Sequence, residues 1–171
     1  MSYVQEIGIV HRDLKSSNVL LETVPINEKQ STMKAVLCDF GLAKITSSAS
    51  TLQGMKIKDI GGLSPRYAAP EVFADMHLKV ASNPDSEMKS DVYSFAIVIW
   101  ELLSRKIPWE GFDHSQIERA VRSGDRPFIP AIDENNPAAV ILVELMRVCW
   151  HDQPSIRPSF TQIYNKLISL L

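Results

Sequence analysis

From Val92 to Leu103 the chain has almost no polar side. Ser90 and Asp91 carry the hydroxyl and carboxylate that cap a helix start. Val92, Phe95, Ala96, Ile97, Val98, Ile99, Trp100, Leu102 and Leu103 follow before Ser104. A helix over residues 90–104 is then apolar on nearly every face, so it cannot lie at the surface with one side in water. It must be the buried spine of a domain, and the rest of the chain has to supply elements all around it. Shorter helices are expected at about 115–123, 138–150 and 160–171, with Pro127, Pro130, Pro154 and Pro158 in the connections. Residues 74–89 read as a polar connection, with Asn83-Pro84-Asp85 marking a turn.

The other constraining stretch lies near the start. Ile9-Val10 and Val19-Leu20-Leu21 read as two brief buried strands, and between them sit His11, Arg12, Asp13, Lys15 and Asn18. A polar loop held between apolar strands is a rigid platform for chemistry. Residues 1–6 read as the end of a helix, closed by Gly8. The polar segment 22–34 is expected to be a long hairpin loop leading to a strand at Ala35-Val36-Leu37. Asp39 then follows an apolar strand, and Gly41 lets the chain turn sharply there. Residues 45–60, rich in Ser and Thr, read as a mobile loop, and the stretch from Gly61 to Glu71 as a return to order.

Composition narrows the function classes. A formal net charge of -2 lacks the basic excess of nucleic-acid binders. The apolar runs 95–100 and 138–143 stop at Glu101 and Glu144, too short to span a bilayer. The first residues do not read as a secretory signal, and Cys38 and Cys149 read as two buried thiols in a reducing compartment. The expectation is a cytoplasmic protein, or the cytosolic part of a larger or membrane-anchored one, with no membrane segment in this chain.

His11-Arg12-Asp13-Leu14-Lys15-Ser16-Ser17-Asn18 resembles the catalytic loop H-R-D-L-x-x-x-N of protein kinases. Asp39-Phe40-Gly41, Ala69-Pro70-Glu71, Ser90-Asp91-Val92-Tyr93-Ser94-Phe95 and Cys149-Trp150 with Arg157-Pro158-Ser159-Phe160 resemble later landmarks of the same family. The resemblance implies ATP and Mg2+ as cofactors and a protein substrate. It implies Asp13 as the residue that takes or orients the substrate hydroxyl's proton, with Lys15 at the transferring phosphate. Asn18 and Asp39 would be the magnesium ligands. Ser64 would bond Asp13 and Lys15, Asp91 would brace the backbone of the loop, and Glu71 would pair with Arg157. His11, Arg12, Phe40 and Gly41 would be structural members of their motifs. Lys15 and Ser64 resemble serine/threonine kinases, while the segments at 91–103 and 149–160 resemble the tyrosine-kinase-like branch.

The fold implied is mainly α (α+β overall): the carboxy-terminal lobe of a kinase, a short β-hairpin packed on helices around a central one. Residues 1–171 would be a partial kinase domain with its activation segment at about 39–71. No glycine-rich loop and no V-A-I-K lysine occur, so the amino-terminal lobe is absent and becomes an expected partner. Ser47, Ser48, Ser50 and Thr51 are candidate phosphosites, because a phosphate there could pair with Arg12, a partly buried and otherwise costly cation. The alternative reading is a catalytically inactive fragment or pseudokinase acting as a protein-interaction module.

Overall fold

The computed structural model describes residues 1–27, 30–45, 64–78 and 84–169. In chain order these form α1 (Ser2–Glu6), β1 (Ile9–Val10), β2 (Val19–Asn27), β3 (Gln30–Leu37), β4 (Lys44–Ile45), α2 (Pro70–Leu78), α3 (Pro84–Ser104), α4 (His114–Arg122), α5 (Pro137–Cys149) and α6 (Phe160–Ile168). Short 3-10 turns occur at Ser16–Asn18, Pro65–Tyr67 and Pro154–Ile156.

The apolar run is the interior of α3. Val92, Tyr93, Ala96, Ile97 and Ile99 are buried on successive faces, and α5 and both later 3-10 turns pack around them. Leu102 stands out in water near the helix end, so the apolar character exceeds what the core uses. α3 also begins earlier than its cap-like Ser90-Asp91. Pro84 opens it, which suits a first helical position with no hydrogen-bond duty, and Asp85 and Glu87 meet the positive end of the helix dipole. Asp91 is therefore an interior residue of the helix, not its cap. The same correction applies to 74–89, which is largely helical: α2 starts on Pro70 with Glu71 in its first turn.

The later helices carry clear start signals. Asp113 with Gln116 and Ser159 with Gln162 form reciprocal capping boxes, and Asn136 caps α5 ahead of Pro137.

The strands differ most from expectation. β1 pairs with β4, Ile9 opposite Ile45, and not with the strand across its own loop. β2 and β3 form a long antiparallel ladder from Val19 opposite Leu37 to Asn27 opposite Gln30, with an irregularity at Pro25/Asn27. The segment read as a polar loop is thus mostly strand. Its side chains meet water on both faces, so no alternation marks it, and it is held by the backbone ladder and a side-chain bond from Asn27 Nδ2 to Gln30 Oε1 at 3.1 Å. Leu20 and Leu21 are 56% and 65% exposed, which corrects their reading as a buried strand.

Of the two thiols, only Cys149 is buried, and burial pushes its pKa up to about 12; Cys38 is half-buried. Among the described residues no helix is long and apolar enough to cross a membrane.

Candidate active site

The loop between β1 and the first 3-10 turn is held from below by α3. Asp91 is 1% exposed, and its two carboxylate oxygens accept the backbone N–H groups of His11 at 2.7 Å and Arg12 at 2.9 Å. Those bonds hold Arg12 in the left-handed region, φ 68°, where a residue with a Cβ is strained. Burial pushes the Asp91 carboxyl up to about 6 even though both amides favour its charged form.

His11 is fully buried and fixes the other side of the loop. Its Nδ1 accepts from the Asp13 N–H at 3.3 Å, which leaves the proton on Nε2 to donate to the Cys38 carbonyl at 3.1 Å. Its ring packs on Phe40, with centroids 4.8 Å apart. One imidazole therefore ties the loop to the stretch that carries Asp39.

Asp39 itself takes the sharp turn, at φ 62°. Gly41 was expected to supply that freedom; its actual contribution is room. A Cβ at Gly41 would stand 3.1 Å from Asp39 Oδ1, the oxygen that accepts the Gly41 N–H at 3.3 Å.

Asp13 and Lys15 face each other at 2.7 Å, and the Lys15 ammonium donates to Ser64 Oγ at 2.9 Å. Asn18 donates from Nδ2 to the Asp13 carbonyl at 2.8 Å and to Asp13 Oδ2 at 3.2 Å. Asp13 Oδ1 is buried and has no hydrogen-bond partner among the described residues. An orphaned, buried carboxylate oxygen is costly unless a ligand completes it. Among the described residues it is an Asp13 acceptor left for an incoming group.

The Asn18 carbonyl accepts the Cys38 N–H at 2.9 Å, so Asn18 and the Cys38-Asp39 pair are neighbours. A carboxylate and an amide oxygen on adjacent backbone are hard donors of the kind magnesium takes. Among the described residues no three His, Cys, Asp or Glu side chains cluster as a self-sufficient metal site. Such a pair suits an ion that keeps water and phosphate oxygens as its remaining ligands.

Away from this cluster, Arg157 is 1% exposed and meets Glu71 in a two-pronged pair at 2.6 and 2.8 Å. Its remaining N–H groups go to the carbonyls of His151, Lys89 and Asp152, and its guanidinium lies over the Tyr93 ring.

The family model described as protein tyrosine and serine/threonine kinase matches residues 1–167. This chain belongs to that kinase family. A probable serine/threonine-protein kinase of Dictyostelium discoideum is 36% identical over 168 residues, covering 98% of this chain and 15% of that protein. The human ankyrin repeat and protein kinase domain-containing protein 1 is 36% identical over 167 residues, 95% of this chain and 20% of its own length. Human receptor-interacting serine/threonine-protein kinase 1 is 31% identical over 175 residues, 97% and 24%. The chain thus spans a quarter or less of each of these relatives.

Within the kinase motifs, the structure brings together Asp13, Lys15, Asn18 and Ser64, and sets His11, Phe40 and Asp91 around them. Ser47, Ser48, Ser50 and Thr51 lie outside the described residues. Arg12 differs from its expectation, because it already has an acid: its Nη2 meets Glu87 Oε1 at 2.7 Å. Lys44 Nζ reaches the same oxygen at 3.0 Å. Sequence reasoning assigned no role to Glu87 or Lys44. Glu87 sat in a stretch read as a connection, and only the early start of α3 turns it toward the loop.

Proposed function

We propose that this chain is the carboxy-terminal lobe of a serine/threonine protein kinase that transfers the ATP γ-phosphate to protein hydroxyls as part of a complete kinase domain. The observation that carries this is the Asp13 carboxylate, with Oδ2 engaged by Lys15 and Asn18 and Oδ1 buried and unpartnered. On this reading Oδ1 accepts the proton of the substrate hydroxyl as it attacks. Lys15 balances the aspartate and supplies positive charge toward the transferring phosphate. Ser64 fixes the Lys15 ammonium and so keeps it from swinging into water. His11 and Asp91 hold the backbone on which Asp13 rides.

Asp39 and the amide oxygen of Asn18 would hold magnesium, which when bound neutralises charge on the phosphate oxygens. ATP would sit between this lobe and an amino-terminal one, with a protein segment as substrate, in an intracellular setting. Residues 39–71 would form the activation segment. The serine/threonine assignment draws on Lys15 and Ser64 together with the names of the related kinases.

The test is phosphate transfer from labelled ATP by the full-length protein to serine, threonine and tyrosine peptides. Transfer to serine or threonine that vanishes in Asp13→Asn is the expected result. Full transfer by Asp13→Asn, or transfer to tyrosine alone, overturns the reading.

A further inference from the structure

Glu87 lies about one and a half turns before the apolar core of α3, 6% exposed, and one of its oxygens serves two cations. Arg12 Nη2 approaches Glu87 Oε1 at 2.7 Å and Lys44 Nζ at 3.0 Å. The two cations come from different places. Arg12 is the left-handed residue directly before Asp13, and Lys44 opens β4 just beyond the Asp39–Gly41 turn. β4 pairs with β1, where the loop starts. A single carboxylate on α3 therefore fastens both polar segments of the site to the spine of the domain.

An arginine and a lysine converging on one point repel each other unless an anion sits between them. A phosphate is the usual anion for such a seat, since its oxygens accept from both. Here the seat is filled from within the fold by a buried carboxylate whose helix is fixed by the core.

We propose that Glu87 is a positioning residue that takes the place a phosphate would otherwise occupy at Arg12 and Lys44. It holds the loop of Asp13 in register with α3 without any modification of the chain. The consequence is a site whose geometry does not wait for phosphorylation, and in which removal of the carboxylate creates a phosphate-binding seat. The activity part of the test rests on the kinase reading above, and the binding part does not.

The experiment compares phosphatase-treated full-length protein with its Glu87→Gln variant, which keeps the side-chain shape and removes the charge. Calorimetric titration with inorganic phosphate at constant ionic strength should show one saturable site in Glu87→Gln and none in the wild type. The double variant Lys44→Met/Glu87→Gln should lose it. Transfer activity of Glu87→Gln should fall about tenfold in kcat with little change in KM for ATP, the size of one lost charge-assisted bond. Added phosphate, unlike chloride, should restore it. An ordinary structural ion pair predicts loss with no rescue and no new site.

Equal phosphate binding by wild type and Glu87→Gln overturns the proposal. If Glu87→Gln does not fold in plain buffer, its refolding decides: a saturable gain with phosphate over chloride supports the seat, and no gain sinks it. A wild type with no transfer activity would count against the kinase reading alone, and the titration would still judge Glu87.

Discussion

Two of the buried acid–base centres among the described residues are finished to different degrees. Around Arg157 everything is closed: both Glu71 oxygens, three backbone carbonyls and the face of Tyr93 meet the guanidinium. Around Asp13 the described residues stop one bond short, leaving Oδ1 buried and unpartnered among them beside Lys15. A saturated centre has nothing left to offer a ligand and works to hold α2 against the segment that follows α5. An unsaturated one costs stability and keeps an acceptor for chemistry. The cost is met by over-determination, because Asp91 and His11 fix the backbone on both sides of the open oxygen.

That contrast can be broken most sharply at Asp13. Asp13→Asn should lower phosphate transfer by roughly 10³-fold or more while leaving the melting temperature close to the wild type's. A variant that melted early and still transferred phosphate would reverse the roles of the two centres. Arg157→Met should do the opposite. It strands Glu71 and should cost about 3–5 kcal/mol in chemical denaturation, because a buried charge loses its partner.

The Asp91 brace sharpens the comparison through pH. Its carboxyl is raised to about 6, so the folded chain binds this proton more tightly than the unfolded one. The group's contribution to stability is therefore complete below the ordinary carboxylate range and is lost as pH rises through about 6. Catalysis runs the other way, since a protonated oxygen no longer accepts a backbone N–H. Transfer should fall on acidification through about 6. Over the same range wild type should gain roughly 1 kcal/mol of stability relative to Asp91→Asn between about pH 7.5 and 5. Activity and stability moving together would remove Asp91 from this role. The smallest effect belongs to Leu102, exposed at the end of α3: Leu102→Ser should stay within about 0.5 kcal/mol, and a larger loss would place a hidden contact there.

Much of the site was legible because it is local. Asp13, Lys15 and Asn18 lie within one short stretch, so chain connectivity alone keeps them near each other. Asp39, Ser64, Asp91 and the Glu71–Arg157 pair came from resemblance to a family, since nothing in their spacing says that they meet. The misreadings share a cause. β2 and β3 carry no alternating pattern because neither face is buried, so the period that marks a strand never forms. The beginning of α3 reads as a connection because its residues are polar, although a proline followed by acidic residues is itself a start signal. Gly41 was given a conformational duty that falls on Asp39, and the difference between needing an angle and needing space is invisible in a sequence.

By itself the sequence determined that a helix apolar on all sides would be the spine, that a polar loop would stand between apolar flanks, and which family carries such motifs. These follow from side-chain chemistry and short spacing, which need no knowledge of what packs where. Tertiary structure decided which partners closed each charge. α3 starts early enough to bring Glu87 under Arg12 and Lys44, Asp91 faces two backbone amides, and Asp13 keeps one oxygen open. Such choices depend on contacts between segments far apart in the chain, where a few ångströms separate a satisfied carboxylate from an unsatisfied one.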